Sequence, residues 1–205
     1  MDIDLEKKAS IIFTLLNLQK FDEVIIKATI LNKRFPYQSF FYNALSLAYN
    51  GIKKYQESLK ILKKGLKIDA KDISLINNLG LTYYRMGDEE QAVKNFNLAL
   101  EINPKFLDAY INLAEVKKYQ SKSDEAIEIL SMCLVSNPDN FVLNFALANN
   151  YQSIGKFIEA KKLYEVCLKL QPQSSVVDKS LSMIVDYSKE GKAHLESMQE
   201  RLSKT

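Results

Sequence analysis

Nucleophilic or metal chemistry in this chain would have to be built from one histidine, His194, and two cysteines, Cys133 and Cys167. Their spacing does not support it. A zinc site needs several His or Cys ligands at paired short spacings, and these three residues are far apart in sequence. No nucleophile elbow surrounds a serine and no Gly-rich phosphate loop is present. The carboxylate pairs Glu89-Glu90 and Asp124-Glu125 fall at turns or first turns of helices, where negative charge complements the helix dipole. These patterns predict no enzyme, no metal and no cofactor, with His194 expected on the solvated surface of a terminal helix. The chemistry that remains is recognition by hydrogen bonding. An asparagine amide both donates and accepts, and Asn43, Asn77, Asn78, Asn112 and Asn149 are the candidates for it.

The elements that would hold these amides are helices. The chain has 205 residues, 47% apolar and 26% charged, with six glycines and four prolines. That is globular composition with too little turn punctuation for a β-sandwich. The net charge of +3 does not by itself imply a nucleic-acid partner. Asp2, Asp4 and Glu6 precede the apolar stretch Ile11–Leu16, where a signal peptide carries positive charge, and no run approaches the ~18 residues of a membrane span. Both cysteines lie in helical apolar patterns and read as reduced core residues. A cytoplasmic chain without a membrane partner is expected.

The prolines carry the organisation. Pro104, Pro138 and Pro172 are 34 residues apart, Pro36 is in phase, and the missing member of the series is Ala70. A period of this length is tested for repeats first. Blocks starting at Leu5, Ser39, Ile73, Leu107 and Phe141 align without insertion. Place 8 of each block is Ile12, Ser46, Gly80, Ala114 and Ala148; place 20 is Val24, Ser58, Ala92, Ala126 and Ala160; place 27 is Leu31, Gly65, Ala99, Cys133 and Cys167. Each half-block has apolar residues at helical spacing, with a turn such as Met86-Gly87-Asp88 between them. Small residues at places 8 and 20 let two helices approach closely, and the proline is expected to end the second. One hairpin cannot cover its own apolar face, so each must stack on the next.

The block Asn78-Leu79-Gly80, Tyr83, Ala92, Phe96, Ala99, Pro104 resembles the tetratricopeptide repeat (TPR) family, and the resemblance extends over residues 5–174. It implies an all-α fold: a right-handed superhelix of five helical hairpins (5–38, 39–72, 73–106, 107–140, 141–174) followed by capping helices over 175–205, all in one domain. The first capping helix is expected over 175–188. Val177, Leu181, Ile184 and Val185 restart the first-helix pattern there.

The resemblance further implies a protein or peptide ligand held in a concave groove lined by places 2, 5, 6, 9, 12 and 13 of the first helices. Carried over residue by residue, the groove candidates are Asn43, Asn77, Asn78, Leu81, Tyr84, Arg85, Asn112, Glu115, Lys118 and Asn149, with Asn50 and Gln152 among the other lining positions. The TPR part of the O-linked glycosyltransferase family holds extended polypeptide with an asparagine ladder. Asn78 and Asn112 match its place, whereas Ser10, Ala44 and Ala146 do not. These amides are expected to face water when the groove is empty; some of the asparagines could equally be neutral surface, since Asn is abundant throughout. The carboxylate clamp of chaperone-binding TPR domains is absent, because Ala9 with Phe13, Asn43 with Leu47, and Asn77 with Leu81 do not supply its opening Lys-Asn pair.

Charge is uneven along the blocks: +3 and +4 in the first two, −1 and −3 in the next two, +2 in the fifth. Lys53, Lys54, Lys60, Lys63, Lys64, Lys67 and Lys71 read as a solvated helix face rather than an RNA or membrane patch, since no aromatics interleave them. Residues 181–198 resemble the segment that follows the repeats in bacterial TPR-sulfotransferases. The leading expectation is a non-catalytic interaction scaffold. The alternative is the substrate-recognition arm of a transferase, of sulfotransferase or O-linked glycosyltransferase type, whose catalytic domain lies outside this sequence.

Overall fold

The computed structural model describes residues 3–185 and 191–203, and every regular element among them is an α-helix. Two compact units are present, Met1–Val116 and Lys117–Thr205. The first contains α1 (Ile3–Asn17), α2 (Phe21–Arg34), α3 (Ser39–Gly51), α4 (Tyr55–Leu66), α5 (Ile73–Arg85) and α6 (Glu89–Ile102), and the boundary falls within α7 (Leu107–Tyr119). The second contains α8 (Ser123–Ser136), α9 (Phe141–Ser153), α10 (Phe157–Leu170), α11 (Ser175–Ser182) and α12 (Gly191–Ser203).

The 34-residue period is written into the helix boundaries. The first helices α3, α5, α7, α9 and α11 all begin at place 1 of a block, and the second helices α2, α4, α6, α8 and α10 all begin at place 17. Place 15, in the turn between them, has a left-handed backbone in all five blocks: φ is 55° at Gln19, 61° at Lys53, 83° at Gly87, 61° at Ser121 and 77° at Gly155. Asp72, Asp88 and Asn140 accept backbone N–H bonds from Leu75, Gln91 and Leu143, capping α5, α6 and α9.

Proline is not required to stop a second helix. α2, α6, α8 and α10 each end two residues before their proline, yet α4, whose corner holds Ala70, ends earlier still, at Leu66. Gly65 lies next to that end, and a Cβ there would come within 2.7 Å of Leu75 Cδ1 and 3.0 Å of Tyr42 Cβ. Packing selects a residue unfavourable to a helix interior, second only to proline, and the helix stops one residue after it.

The core of the first unit lies between hairpins. Ile12, Leu15, Val24 and Ala28 of α1–α2 pack with Phe41, Ala44, Leu45 and Ala48 of α3. Tyr42, Leu59 and Leu62 pack with Leu75 and Leu79 of α5. At Gly80 the two helices of one hairpin approach so closely that a Cβ would be 2.7 Å from the buried ring of Phe96. In the second unit Ala148, Ala160, Tyr164, Cys167 and Leu168 pack with Val177 and Leu181 of α11. That helix stops at Ser182, short of the expected 188; the last part of the expected span, 186–188, lies outside the described residues.

Candidate functional site

The expected site residues of the first unit lie on α3, α5 and α7, and the structure joins four of their amides in pairs. Asn78 Nδ2 donates to Asn43 Oδ1, and Asn112 Nδ2 donates to Asn77 Oδ1 over 3.0 Å. Both pairs obey one rule: the amide at place 6 of a repeat donates to the amide at place 5 of the repeat before it. The side chains are therefore not free in water, contrary to the expectation from the sequence. Asn77 and Asn78 are only 6% and 7% exposed, because each amide lies between consecutive first helices. Each pair uses one N–H and one carbonyl oxygen, and this holds the side chains in fixed orientations.

Around them Leu81 and Tyr84 are half-buried, while Arg85 and Glu115 are exposed. Asn50 departs from expectation. It is buried, and its Nδ2 donates to Thr82 Oγ1 at 2.9 Å. Thr82 in turn donates to the Asn78 carbonyl at 2.7 Å and lies 3.0 Å from Ser58 Oγ, which is itself 3.3 Å from the Ser46 carbonyl. Ser46 and Ser58 stand where small residues are called for. The polar network they form was not legible, because it depends on Asn50 turning inward to meet a threonine one repeat later.

In the second unit Lys118 and Asn149 are half-buried. The hydroxyl of buried Tyr164 reaches Asn149 Oδ1 at 2.7 Å and Gln152 Oε1 at 2.5 Å. With one proton, the phenol donates to only one of these two α9 amide oxygens at a time. Near Lys118, Lys117 Nζ lies 2.6 Å from Glu125, and this hydrogen bond holds the Glu125 carboxyl below its usual range.

His194 is not on the surface; it is 8% exposed. α12 places it in the wall of a cavity of about 390 Å³ lined in part by Leu168, Leu181, Val185, Ser197 and Arg201. The helix is tied down by Arg201, whose guanidinium pairs with Asp178 and donates to the Pro172 carbonyl at 3.1 Å and to Ser197 Oγ at 2.7 Å. Periodicity shows that α12 is amphipathic but not which surface receives it. Among the described residues no group of three His, Cys, Asp or Glu side chains could hold a metal ion, and no helix is long and apolar enough to cross a membrane. Cys133 and Cys167 are both free and buried.

Family models for the tetratricopeptide repeat match residues 41–72, 74–106 and 142–174. The chain carries tetratricopeptide repeats. The matched segments lie in the second, third and fifth blocks. The TPR fold also relates the chain to solved structures. TTC0263, a thermophilic TPR protein of Thermus thermophilus, shares 18% identity over 87% of this chain and 97% of its own, with a TM-score of 0.80. PilF of Pseudomonas aeruginosa shares 14% over 98% and 97%, with a TM-score of 0.69, and MamA shares 20% over 85% and 98%, with a TM-score of 0.58. At these identities the likeness concerns the fold alone. No curated protein matches the chain. The TPR matches end at residue 174, and the comparisons do not show the expected sulfotransferase resemblance of residues 181–198, of which 186–190 also lie outside the described residues.

Proposed function

We propose that this TPR protein is a non-catalytic scaffold that binds a peptide segment of another protein along the first helices α3, α5 and α7. The observation that carries the reading is the pair of amide–amide bonds, Asn78 to Asn43 and Asn112 to Asn77. An amide held in one orientation presents its remaining N–H and lone pairs without a further ordering cost, and a peptide backbone needs both donors and acceptors. The exposed Arg85, about two turns further along α5, offers a charge-assisted bond to an acidic ligand side chain. Asn43, Asn77 and Asn78 lie in repeats that match the family models, which supports the reading further, since TPR proteins are commonly interaction scaffolds.

The test is a titration of peptides selected from a random display library against the intact chain. Asn112→Ala and Arg85→Ala are each expected to weaken the selected peptides, by about tenfold when combined, since each lost hydrogen bond is worth ~0.5–1.5 kcal/mol. Lys63→Ala, on the opposite helix of its hairpin, is expected to leave affinity unchanged. Selected peptides that bind a folded Asn112→Ala, Arg85→Ala double variant as tightly as wild type would move the binding surface elsewhere.

A further inference from the structure

Place 7 of each block shows an asymmetry. Leu45, Leu79, Leu113, Leu147 and Leu181 are 2%, 9%, 8%, 3% and 4% exposed, but Ile11 at the same place of the first block is 50% exposed. Place 3 behaves alike: Phe41, Leu75, Ala109, Leu143 and Val177 are buried, and Lys7 is exposed. The chain also shows what normally covers this face. Leu45 packs with Val24 and Ala28 of α2, Leu79 with Leu59 and Leu62 of α4, and Leu181 with Tyr164, Cys167 and Leu168 of α10. In these three the cover is the apolar stripe of a preceding second helix.

On the first hairpin the uncovered face is an open groove of about 210 Å³ lined by Lys8, Ile11, Ile12, Lys27, Ile30 and Leu31. Ile30 is itself 62% exposed, and among the described residues no acidic side chain lines the groove. Lysines stand at places 3 and 4, where later blocks carry Phe41-Tyr42 and Leu75-Ile76. A face that is apolar at its centre and basic at its edge calls for an occupant with the opposite rim. A second copy docked face to face would set Lys7 and Lys27 against their own counterparts, which like-charge repulsion disfavours.

We infer that this face of α1–α2 docks an amphipathic helix of a partner protein, with a leucine-like apolar stripe flanked by acidic residues. The stripe covers Ile11 and Ile30 as a preceding second helix would, and the acids meet Lys7 and Lys27. The surface is distinct from the amide-lined helices above and does not depend on them.

The chain contains a suitable probe. α8 carries Asp124, Glu125 and Glu128 beside its buried Ala126, Leu130 and Cys133. A fluorescein-labelled, helix-stapled peptide of residues 123–136, with Cys133→Ala, is titrated against the intact chain by anisotropy. The control is a stapled peptide of residues 55–66, whose exposed face is basic. Saturable binding of the acidic peptide is expected, weakened about tenfold or more in Ile11→Glu and in Lys27→Glu, with the basic peptide weaker throughout. Ile11 is half exposed, so Ile11→Glu is expected to keep the wild-type melting temperature. Absence of saturable binding, equal affinity for Ile11→Glu, or equal affinity of the basic peptide each overturns the inference. So does a wild-type dimer in sedimentation that Ile11→Glu dissolves, which would make the occupant a second copy.

Discussion

Gly87 and Gly155 have φ angles of 83° and 77°, and no heavy atom lies within 4 Å of where their Cβ would be. Their role is therefore conformational. An L side chain in the left-handed region costs ~1–2 kcal/mol, so Gly87→Ala is expected to lower stability by about 1 kcal/mol, read as a drop in melting temperature. Lys53 occupies the same region at 61°. Lys53→Gly relieves that strain against an entropy cost of ~0.5–1 kcal/mol, and is expected to raise the melting temperature. A second residue-scale effect comes from Cys167, whose thiol is pushed up to about 11 by burial. The folded state keeps this proton after the unfolded chain, with a thiol near 9.0, has lost it. The stabilisation is complete below the unfolded value and declines as pH rises through that of the folded state. Denaturant titrations are expected to show stability falling across that alkaline window, with a shallower fall in Cys167→Ala. Labelling with a thiol reagent at neutral pH is expected to find both thiols slow until the chain is unfolded.

Helix pairing is where the amides act before any ligand arrives. Asn77→Ala removes the acceptor of Asn112 and is expected to cost about 1 kcal/mol, with a double-mutant cycle between the two giving a coupling of ~0.5–1.5 kcal/mol. A coupling of zero would reduce the 3.0 Å bond to a bystander. Within one hairpin, Gly80→Ala would force a methyl against the buried Phe96 ring. Overpacking of ~1–3 kcal/mol outweighs the ~1 kcal/mol gained in helix propensity, so the variant is expected to melt lower. The hairpins themselves were legible, since small residues at places 8 and 20 and the 34-residue proline spacing reflect constraints that act within one block. The amide pairs were not. A bond between residues 35 apart depends on how neighbouring blocks stack and on a rotamer, neither of which leaves a periodic trace. His194 was misplaced for the same reason: its burial depends on where α12 docks, and Arg201 ties that helix to Asp178 of α11.

At the scale of the whole molecule, recognition has two candidate surfaces with different chemistry. One is a set of amides already engaged with each other on α3, α5 and α7; the other is an apolar and basic face on α1–α2. Because the two lie on different hairpins, Ile11→Glu and Asn112→Ala are expected to impair different partners and to combine additively when one probe of each kind is used. The amide bonds also have a mechanical consequence. The place-5 and place-6 positions of the first two blocks, Ala9 and Ala44, cannot form a rung, so the links join the second block to the third and the third to the fourth. The buried Asn50–Thr82 bond adds a further tie between the second and third. α1–α2 packs on α3 through an apolar cluster and has no amide rung to it, and under load applied through the N-terminus apolar contact yields at low force because it is non-directional. Optical-tweezer extension is expected to peel that first hairpin ahead of α3–α6, and Asn78→Ala to lower the force of the second step while leaving the first unchanged.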